Sequence, residues 1–337
     1  MKINNEYRNV FIVIIIVFIA GIIISLSVGR YAVSFSEVVR ILISFIFQTE
    51  GTQDLVAEGV VLNLRLPRVL GAILVGSSLA ISGACYQGVF KNQLVSPDIL
   101  GVSSGATVGA AIAILLGGDR FMIQIGAFLG GIAAVLLTMM IPKLLKNTST
   151  MLLVLSGIIV GGLMGSIIGI IKFLADPDEQ LAEIVYWQMG SLAKVNLPDV
   201  LGILPIVVIA TVILLSLSWR INILTLGDQE AQLSGVNVKM IRSIVIICAT
   251  MLTASSVSIS GTIGWLGLVI PHLARILIGP DNVKVFPISL LLGSIFLVTI
   301  DTLARVLTTA ELPLSILTGL IGAPFYFWIL SRQRVRL

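Results

Sequence analysis

Long uninterrupted apolar runs, not alternating patterns, dominate this chain. Residues 10–28 carry no charge and are nearly all aliphatic. A bilayer core takes roughly 20 apolar residues of helix, whereas a strand of a transmembrane barrel alternates apolar and polar residues over about 10 positions. Because helices and closed barrels alone satisfy every backbone polar group in lipid, these runs predict an all-α polytopic membrane protein.

Ten such runs predict ten transmembrane helices in a single transmembrane domain that occupies residues 1–337. The runs lie at residues 10–28, 67–86, 97–116, 121–141, 151–171, 200–218, 241–260, 262–278, 286–304 and 313–330. The first run is long for a signal sequence and is followed by further runs, so we expect it to be retained. Residues 36–48 have apolar residues at helical spacing, which predicts an amphipathic helix along the outer surface.

The charged residues predict the orientation of these helices. With both termini cytoplasmic, the inner segments hold 13 of the 21 basic residues but five of the 17 acidic residues. Cytoplasmic loops carry an excess of lysine and arginine, so this asymmetry supports the ten-helix arrangement. A nine-helix arrangement would leave Arg332, Arg334 and Arg336 outside. Composition agrees with the class, since hydrophobic residues make up 57% of the chain and mean hydropathy is +1.09.

Several kinds of chemistry have no sequence support. The chain has no Gly-Lys pair, so it lacks a nucleotide-binding P-loop, and any ATP that drives it is hydrolysed by another subunit. It has one histidine, His272, and two cysteines in different apolar runs, Cys85 and Cys248. We therefore predict no catalytic residue, no metal site and no cofactor in this chain, and we interpret these three side chains as packed in the core.

Few ionisable residues fall inside the apolar runs. Asp301 and Arg305 are four residues apart near the outer end of the ninth run, a spacing at which they could form an ion pair. A proton-coupled carrier is expected to bury more carboxylates near the middle of the membrane. This pattern argues against a secondary transporter.

Glycine recurs every four residues in three of the apolar runs. Such stripes let helix backbones approach closely, and they predict helix packing. The alternative is that smooth helices line or brace a path that must open and close. The longest stripe comprises Gly157, Gly161, Gly165 and Gly169; the others comprise Gly101, Gly105 and Gly109, and Gly126 and Gly130.

The segment Asn222–Arg242 is the most informative polar stretch. Gly227 and Gly235 are expected to divide it into two short helices, with Asp228 near a helix N-terminus, where the helix dipole favours an acid. A cytoplasmic loop of this length indicates a docking surface, and an ordinary interfacial helix pair is the alternative.

Within this loop, "EAQLSG" at residues 230–235 resembles the coupling motif of ABC importer permeases, which receives the ATPase subunit. Four further stretches resemble, in the same order, the iron-chelate and cobalamin permease family, the FecCD-type permeases of type II ABC importers. They are "RLPRVLGAILVGSSLAISGA", "NQLVSPDILGVSSGA", "GTIGWLGLVIPHLAR" and "ELPLSILTGLIGAPFYFWIL". The likeness covers nearly the whole chain after the first run. It departs at Thr262, where the family usually has proline, and at Trp265, where it usually has phenylalanine.

The resemblance implies the ABC type II importer permease fold and a homodimer with one translocation path between the two copies. It implies two ATPase subunits, which use ATP and Mg, docked on the cytoplasmic loop at about residues 220–240, and one extracytoplasmic substrate-binding protein on the opposite side. The matching coupling residues are Asp228, Glu230, Ala231 and Gly235. The bilayer is a further partner, and nucleic acid is not.

The resemblance also assigns roles to residues near the two membrane surfaces. Arg65, Arg68 and Arg305 match arginines that bind acidic residues of the binding protein, a role suited to the bidentate guanidinium group. Without the resemblance, Arg65 and Arg68 would be interpreted as interfacial arginines that reach lipid headgroups.

Two pairs of residues match constrictions of the family's path. Asn92 and Leu94 match the cytoplasmic gate, and Ser149 and Thr150 match a second constriction by a looser alignment.

These observations together predict a non-catalytic permease subunit in the cell (inner or cytoplasmic) membrane of a prokaryote. The expected cargo is an iron–siderophore type of metal chelate. The same architecture with cobalamin, haem or molybdate as cargo is the alternative. A secondary carrier or channel is a further, less favoured alternative. It predicts transport by the isolated protein without an ATPase.

Overall fold

The computed structural model describes residues 5–48, 54–146 and 149–333, which form fourteen α-helices and no strand. The helices are α1 (Asn5–Ser27), α2 (Phe35–Phe47), α3 (Leu55–Gly59), α4 (Leu66–Phe90), α5 (Val102–Leu115), α6 (Arg120–Leu144), α7 (Thr150–Leu174), α8 (Gln180–Met189), α9 (Leu197–Leu226), α10 (Asp228–Leu233), α11 (Val238–Ser260), α12 (Leu266–Ile278), α13 (Asn282–Leu307) and α14 (Leu314–Gln333). A π-helical turn at Val60–Arg65 joins α3 to α4, and a 3₁₀ turn at Pro97–Leu100 precedes α5.

Seven helices in the described part of the chain are long and apolar enough to cross a membrane: α1, the continuous helix that ends in α4, α6, α7, α9, α11 and α13. α5, α12 and the part of α14 up to Trp328 are apolar but shorter. Every predicted run therefore falls on an apolar helix, while the number of crossings stays a prediction. Lys2 and the basic residues Arg334 and Arg336, which helped to predict cytoplasmic termini, lie outside the described residues.

Two of the predicted runs are shorter as helices than expected. The run at 97–116 begins as a 3₁₀ turn, and α5 starts after Gly101, whose φ of +82° is in the left-handed region. The run at 262–278 begins as irregular chain, and α12 starts at Leu266. Prediction from hydropathy was wrong on this point because apolar side chains continue through both breaks. Glycine and proline interrupt the helices at these two points, although the side chains there are as apolar as those of a membrane-spanning helix.

The core of the molecule is built around α4. It contacts α13, α11, α12 and α9, and nearly every residue from Ser78 to Phe90 is buried. A helix that is apolar on all sides belongs in such a position. The contacts are close because of glycine pairs: a Cβ at Gly76 would overlap the backbone of Gly293, and a Cβ at Gly83 would overlap the backbone of Gly267. In contrast, α1 and α7 expose most of their apolar side chains.

The predicted amphipathic helix is present as α2. Ser34 caps its N-terminus by accepting a hydrogen bond from the backbone N–H of Glu37, and Val38 and Ile41 are buried on its inner face. It packs against α1, while Phe45 and Phe47 on its other face are exposed. Its location at the outer membrane surface stays a prediction.

Side-chain contacts define two ends of the helix bundle. At the "α10 end", Lys91 after α4 and Arg242 in α11 contact Asp228 of α10, and Asn222 of α9 contacts Asp281 before α13. At the "α8 end", Lys172 of α7 contacts Gln188 of α8, and Arg68 of α4 contacts Asp301 of α13.

Candidate functional site

The three arginines predicted to bind a partner lie at the α8 end and point inward. The π-helical turn places the Arg65 guanidinium under the end of α1, where it donates hydrogen bonds to the carbonyl oxygens of Leu26 (2.7 Å), Ser27 (3.0 Å) and Tyr31. The last carbonyls of a helix have no partner within the helix, so a cation in this position satisfies them. The role of Arg65 visible in this structure is therefore to hold α1 against α4.

Arg68 and Arg305 share one buried carboxylate. Arg68 Nε lies 2.8 Å from Oδ1 of Asp301, and Arg305 Nε lies 3.4 Å from Oδ2. Asp301 is 1% exposed, Arg68 7% and Arg305 8%. The predicted Asp301–Arg305 pair is confirmed. The sequence did not indicate the shorter Arg68–Asp301 pair, because its members are 233 positions apart.

The second partner of Arg68 is more accessible. Its Nη1 lies 2.8 Å from a carboxylate oxygen of Glu311, whose side chain is 34% exposed. Glu311 also lines a cavity of about 740 Å³ at the α8 end, together with Arg120, Glu183, Lys194 and Ser260. The two acids balance Arg68 and Arg305, so each of these two guanidinium groups already has an acidic partner in this structure. The predicted binding of a partner's acids stays a prediction, and it would require an exchange of ion pairs.

At the α10 end, the predicted coupling segment folds as one short helix and not two. The first part of the segment continues α9 up to Leu226, and only α10 stands apart, between Gly227 and Gly235. Gly235 has a φ of +75°, and the N–H of Val236 donates to the carbonyl of Ala231, which closes the C-terminus of α10. Ala231 is fully buried, whereas Glu230 is exposed and folds back over Gly227.

Asp228 is the first residue of α10, as predicted, and it joins three segments. It accepts hydrogen bonds from Lys91 Nζ (3.1 Å) and from Arg242 Nη2 (3.1 Å). Partial burial acts to raise the pKa of Asp228, but the hydrogen bonds and positive charges of Lys91 and Arg242 outweigh it, so the pKa lies below its ordinary value. The carboxylate is therefore charged at neutral pH.

The loop predicted to form a gate follows α4 directly. Lys91 has a φ of +53° and ends the helix, and the amide oxygen of Asn92 accepts a hydrogen bond from the N–H of Leu94 (2.9 Å). Both predicted gate side chains are exposed, and Leu94 is 59% exposed. Through Lys91, this loop is tied to α10.

The second predicted constriction lies at the start of α7, at the same end of the bundle. Ser149 caps α7 by accepting a hydrogen bond from the N–H of Met151 (3.2 Å), and Thr150 is the first residue of the helix. The structure brings both constrictions to the α10 end, and the gating roles stay predictions.

The glycine stripes differ in what they contact. Gly105 and Gly109 of α5 pack directly on the backbone of Gly130 and Gly126 in α6, as the stripe pattern predicted. On α7, Gly157 packs against the carbonyl of Ile99.

For the rest of the α7 stripe, the packing role stays a prediction. A Cβ at Gly161, Gly165 or Gly169 would have nothing within 4 Å, so none of the described helices of the single copy covers that face.

A polar cavity of about 310 Å³ opens beside this uncovered face of α7. It lies where the two interrupted helices begin: Asp98, Ser103, Ser104 and Thr107 come from the start of α5, and Thr262 and Gly264 from the irregular chain before α12. Non-helical backbone at membrane depth is tolerated where it lines a water-filled space.

The sequence analysis missed this cavity and its carboxylate. The available signal was the placement of Pro97, Gly101, Gly261 and Gly264 at the start of two apolar runs, where helix breakers are unexpected.

The remaining candidates for chemistry are structural. Cys85 and Cys248 are buried and free, and His272 is buried with its ring edge-on to Tyr326 at 6.1 Å between centroids. Within the described residues, no group of three or more His, Cys, Asp and Glu side chains is placed to hold a metal ion.

Comparisons with known proteins agree with this arrangement. The model of the FecCD transport family matches residues 15–332. The molybdate import system permease protein MolB of Haemophilus influenzae is 37% identical over 322 residues, which cover 96% of this chain and 95% of that protein. An iron chelatin transport system permease protein of Helicobacter pylori is 42% identical over 275 residues, or 82% of this chain and 83% of that protein. A solved structure of a metal-chelate type ABC transporter in an inward-facing conformation has a TM-score of 0.87 at 35% identity, covering 96% of this chain and 99% of that one.

Proposed function

The chain belongs to the FecCD transport family, and from that premise we propose that this ABC importer permease carries an iron–siderophore type of metal chelate into the cytoplasm. Membership supports a multi-pass membrane subunit, and we propose that this subunit transports without catalysing a reaction. We further propose ten crossings, cytoplasmic termini and a location in the cytoplasmic membrane. The working unit is a homodimer with two ATPase subunits, which bind ATP and Mg, and one extracytoplasmic binding protein.

The observation that carries this proposal is the junction at Asp228. A single carboxylate joins α10, the start of α11 through Arg242, and the loop of Asn92 and Leu94 through Lys91. An ATPase that moves α10 would therefore also move the gate loop, because charge-assisted hydrogen bonds connect them.

At the opposite end, we propose that the binding protein docks beside Glu311. Arg68 is itself buried, but its partner Glu311 is partly exposed at the rim of the larger cavity, so a partner can reach this ion pair by displacing Glu311. An acidic side chain of the binding protein would replace Glu311 and pair with the same guanidinium. Arg65 and Arg305 would support this site from below through their contacts with α1 and Asp301.

The proposed cargo follows from the names of relatives and not from the geometry of this chain. Relatives of similar identity are named for molybdate and for iron chelatin, so the fold serves both. Cobalamin, haem and molybdate are the alternative cargoes.

The test is uptake into proteoliposomes that contain this protein and the ATPase encoded beside it, with the neighbouring binding protein and a labelled ferric siderophore outside. ATP-dependent uptake that is lost without the binding protein is the expected result. ATPase stimulation by the binding protein without uptake would reject the cargo but keep the importer. Uptake without ATP or partners would reject the importer and favour a secondary carrier.

A further inference from the structure

The polar cavity beside α7 contains one described acidic side chain, Asp98, at the middle depth of the bundle. Gly165, which lines the same cavity, is nine residues from the end of α7 at Leu174, or about 14 Å along a helix. A bilayer core is about 30 Å thick, so the part of the cavity beside Gly165 lies near its midplane, while Gln188 lines the cavity toward the α8 end. Ionisable residues at this depth face a cavity or a path far more often than lipid.

The structure holds Asp98 in a defined position. It lies in the 3₁₀ turn at Pro97–Leu100, and Ser103 in the first turn of α5 donates a hydrogen bond to its Oδ1. The side chain is nevertheless exposed to the open space in front of α7. The carboxylate thus occupies the N-terminal end of α5, where the helix dipole would otherwise favour an anion from solution.

The other charged side chain near the uncovered face of α7 is that of Lys172. Its ammonium group is bound to the Gln188 amide oxygen at 2.7 Å, and its Cα is seven residues, or about 10 Å, beyond Gly165 toward the α8 end. Gln188 lines the same cavity, so the ammonium group is held at the wall of the cavity nearest the α8 end, whereas Asp98 lies just before the start of α5. A cargo meets the carboxylate at the deeper position, where water screens it less.

We propose that Asp98 makes the middle of the path favour cations and reject anions, so that the cargo is a metal chelate of zero or positive net charge and not an oxyanion such as molybdate. This inference rests on the proposed function, because it treats the cavity as part of the translocation path. In a homodimer, the cavity would carry one such carboxylate from each copy.

The local charge can be measured without any cargo. Ser104 lines the same cavity, and the native cysteines are buried, so Ser104→Cys provides one accessible thiol. Its reaction rates with a trimethylammonium and a sulfonate methanethiosulfonate reagent are compared, each relative to a free thiol. Focused fields of this kind change local ion concentrations by about tenfold or more, and we expect the cationic reagent to be favoured by that factor.

Three variants in the Ser104→Cys background isolate the carboxylate. Asp98→Asn should bring the ratio of the two rates close to one, and Asp98→Glu, which keeps the charge, should retain the preference. Lys172→Gln should leave the cationic preference in place. A ratio that does not change in Asp98→Asn, or no preference in the parent, would overturn the proposal.

The cargo itself is tested in the proteoliposome assay with ATPase and binding protein. A neutral ferric trihydroxamate should be taken up, and molybdate should not. Molybdate uptake by the unaltered protein would overturn the inference about cargo charge. If neither compound enters, the proposed function fails on that assay, while the reagent ratio still decides whether Asp98 sets the charge of the cavity.

Discussion

At the scale of single residues, Asp301 is the most consequential charge in the chain. It is almost completely buried, and its carboxylate lies within 3.4 Å of both Arg68 and Arg305. Removing one partner of a buried ion pair leaves an uncompensated charge, which costs about 3 to 5 kcal/mol. We therefore expect Asp301→Asn to lower the thermal unfolding temperature of the detergent-purified protein markedly.

The matched control for this prediction is Asp178→Asn, because Asp178 is an exposed acid at the same end of the bundle. It should unfold like the parent. Equal unfolding temperatures for Asp301→Asn and Asp178→Asn would mean that the buried cluster contributes nothing to stability.

Glu311 is a residue-scale test of docking. If a partner's acid must replace it at Arg68, then Glu311→Gln removes a competing charge and should tighten binding of the binding protein. An ion pair with one partly exposed member contributes about 1 kcal/mol at most. The affinity for the binding protein should therefore rise by up to about fivefold. Surface plasmon resonance on nanodisc-embedded protein measures this affinity. Weaker binding would show that Glu311 itself contacts the partner.

At the scale of elements, α7 contains its own matched pair of glycines. Gly157 packs on the carbonyl of Ile99, whereas Gly161, one turn later, faces open space. Gly157→Ala should destabilise the protein by about 1 to 3 kcal/mol through overpacking. In the monomeric, detergent-purified protein, Gly161→Ala should be neutral or stabilising by up to about 1 kcal/mol, because alanine loses less backbone entropy in a helix and no second copy covers this face. Thermal unfolding of both variants as monomers decides; equal losses would mean that another surface of the same chain covers Gly161.

The junction between α10 and the gate loop also belongs to this scale. Asp228→Asn keeps the shape of the side chain but weakens its bonds to Lys91 and Arg242, so ATP hydrolysis should continue while uptake per ATP falls several-fold. Gln229→Ala, on the exposed surface of the same helix, should leave the uptake per ATP hydrolysed unchanged. The ratio of uptake to phosphate release in proteoliposomes measures this, and an unchanged ratio in Asp228→Asn would contradict the junction.

The pH dependence of that junction follows from the sign of the pKa shift. Because the pKa of Asp228 is below its ordinary value of 3.8 in the folded protein, the contacts are fully present above that value and are lost only as the pH falls through the lower, folded pKa. Coupling should therefore not vary between pH 6 and pH 8 on account of Asp228.

At the scale of the whole molecule, the sequence predicted best those features that depend on residues close together in the chain. Apolar runs located every long helix, and the four-residue spacing of Asp301 and Arg305 identified their pair. The Arg68–Asp301 pair joins positions 233 apart, and no spacing rule reports a contact of that kind. The polar cavity was missed for a related reason, because hydropathy registers side chains and not the backbone breaks at Gly101 and Gly261.

The uncovered face of α7 predicts where a second copy binds. Asp98 and Ser104 lie beside that face at mid-membrane depth, and polar groups exposed to lipid are costly, so a second copy should enclose them. Ile158, 60% exposed, lies seven residues before Gly165 on the same side of α7. A cysteine at Ile158 should therefore cross-link to its counterpart with bismaleimides of graded length. Ile16 on α1 is equally exposed but lies on a helix that does not adjoin α7, so Ile16→Cys should stay monomeric. Cross-linking through Ile16 and not Ile158 would move the dimer interface to α1 and leave the cavity outside any path between two copies.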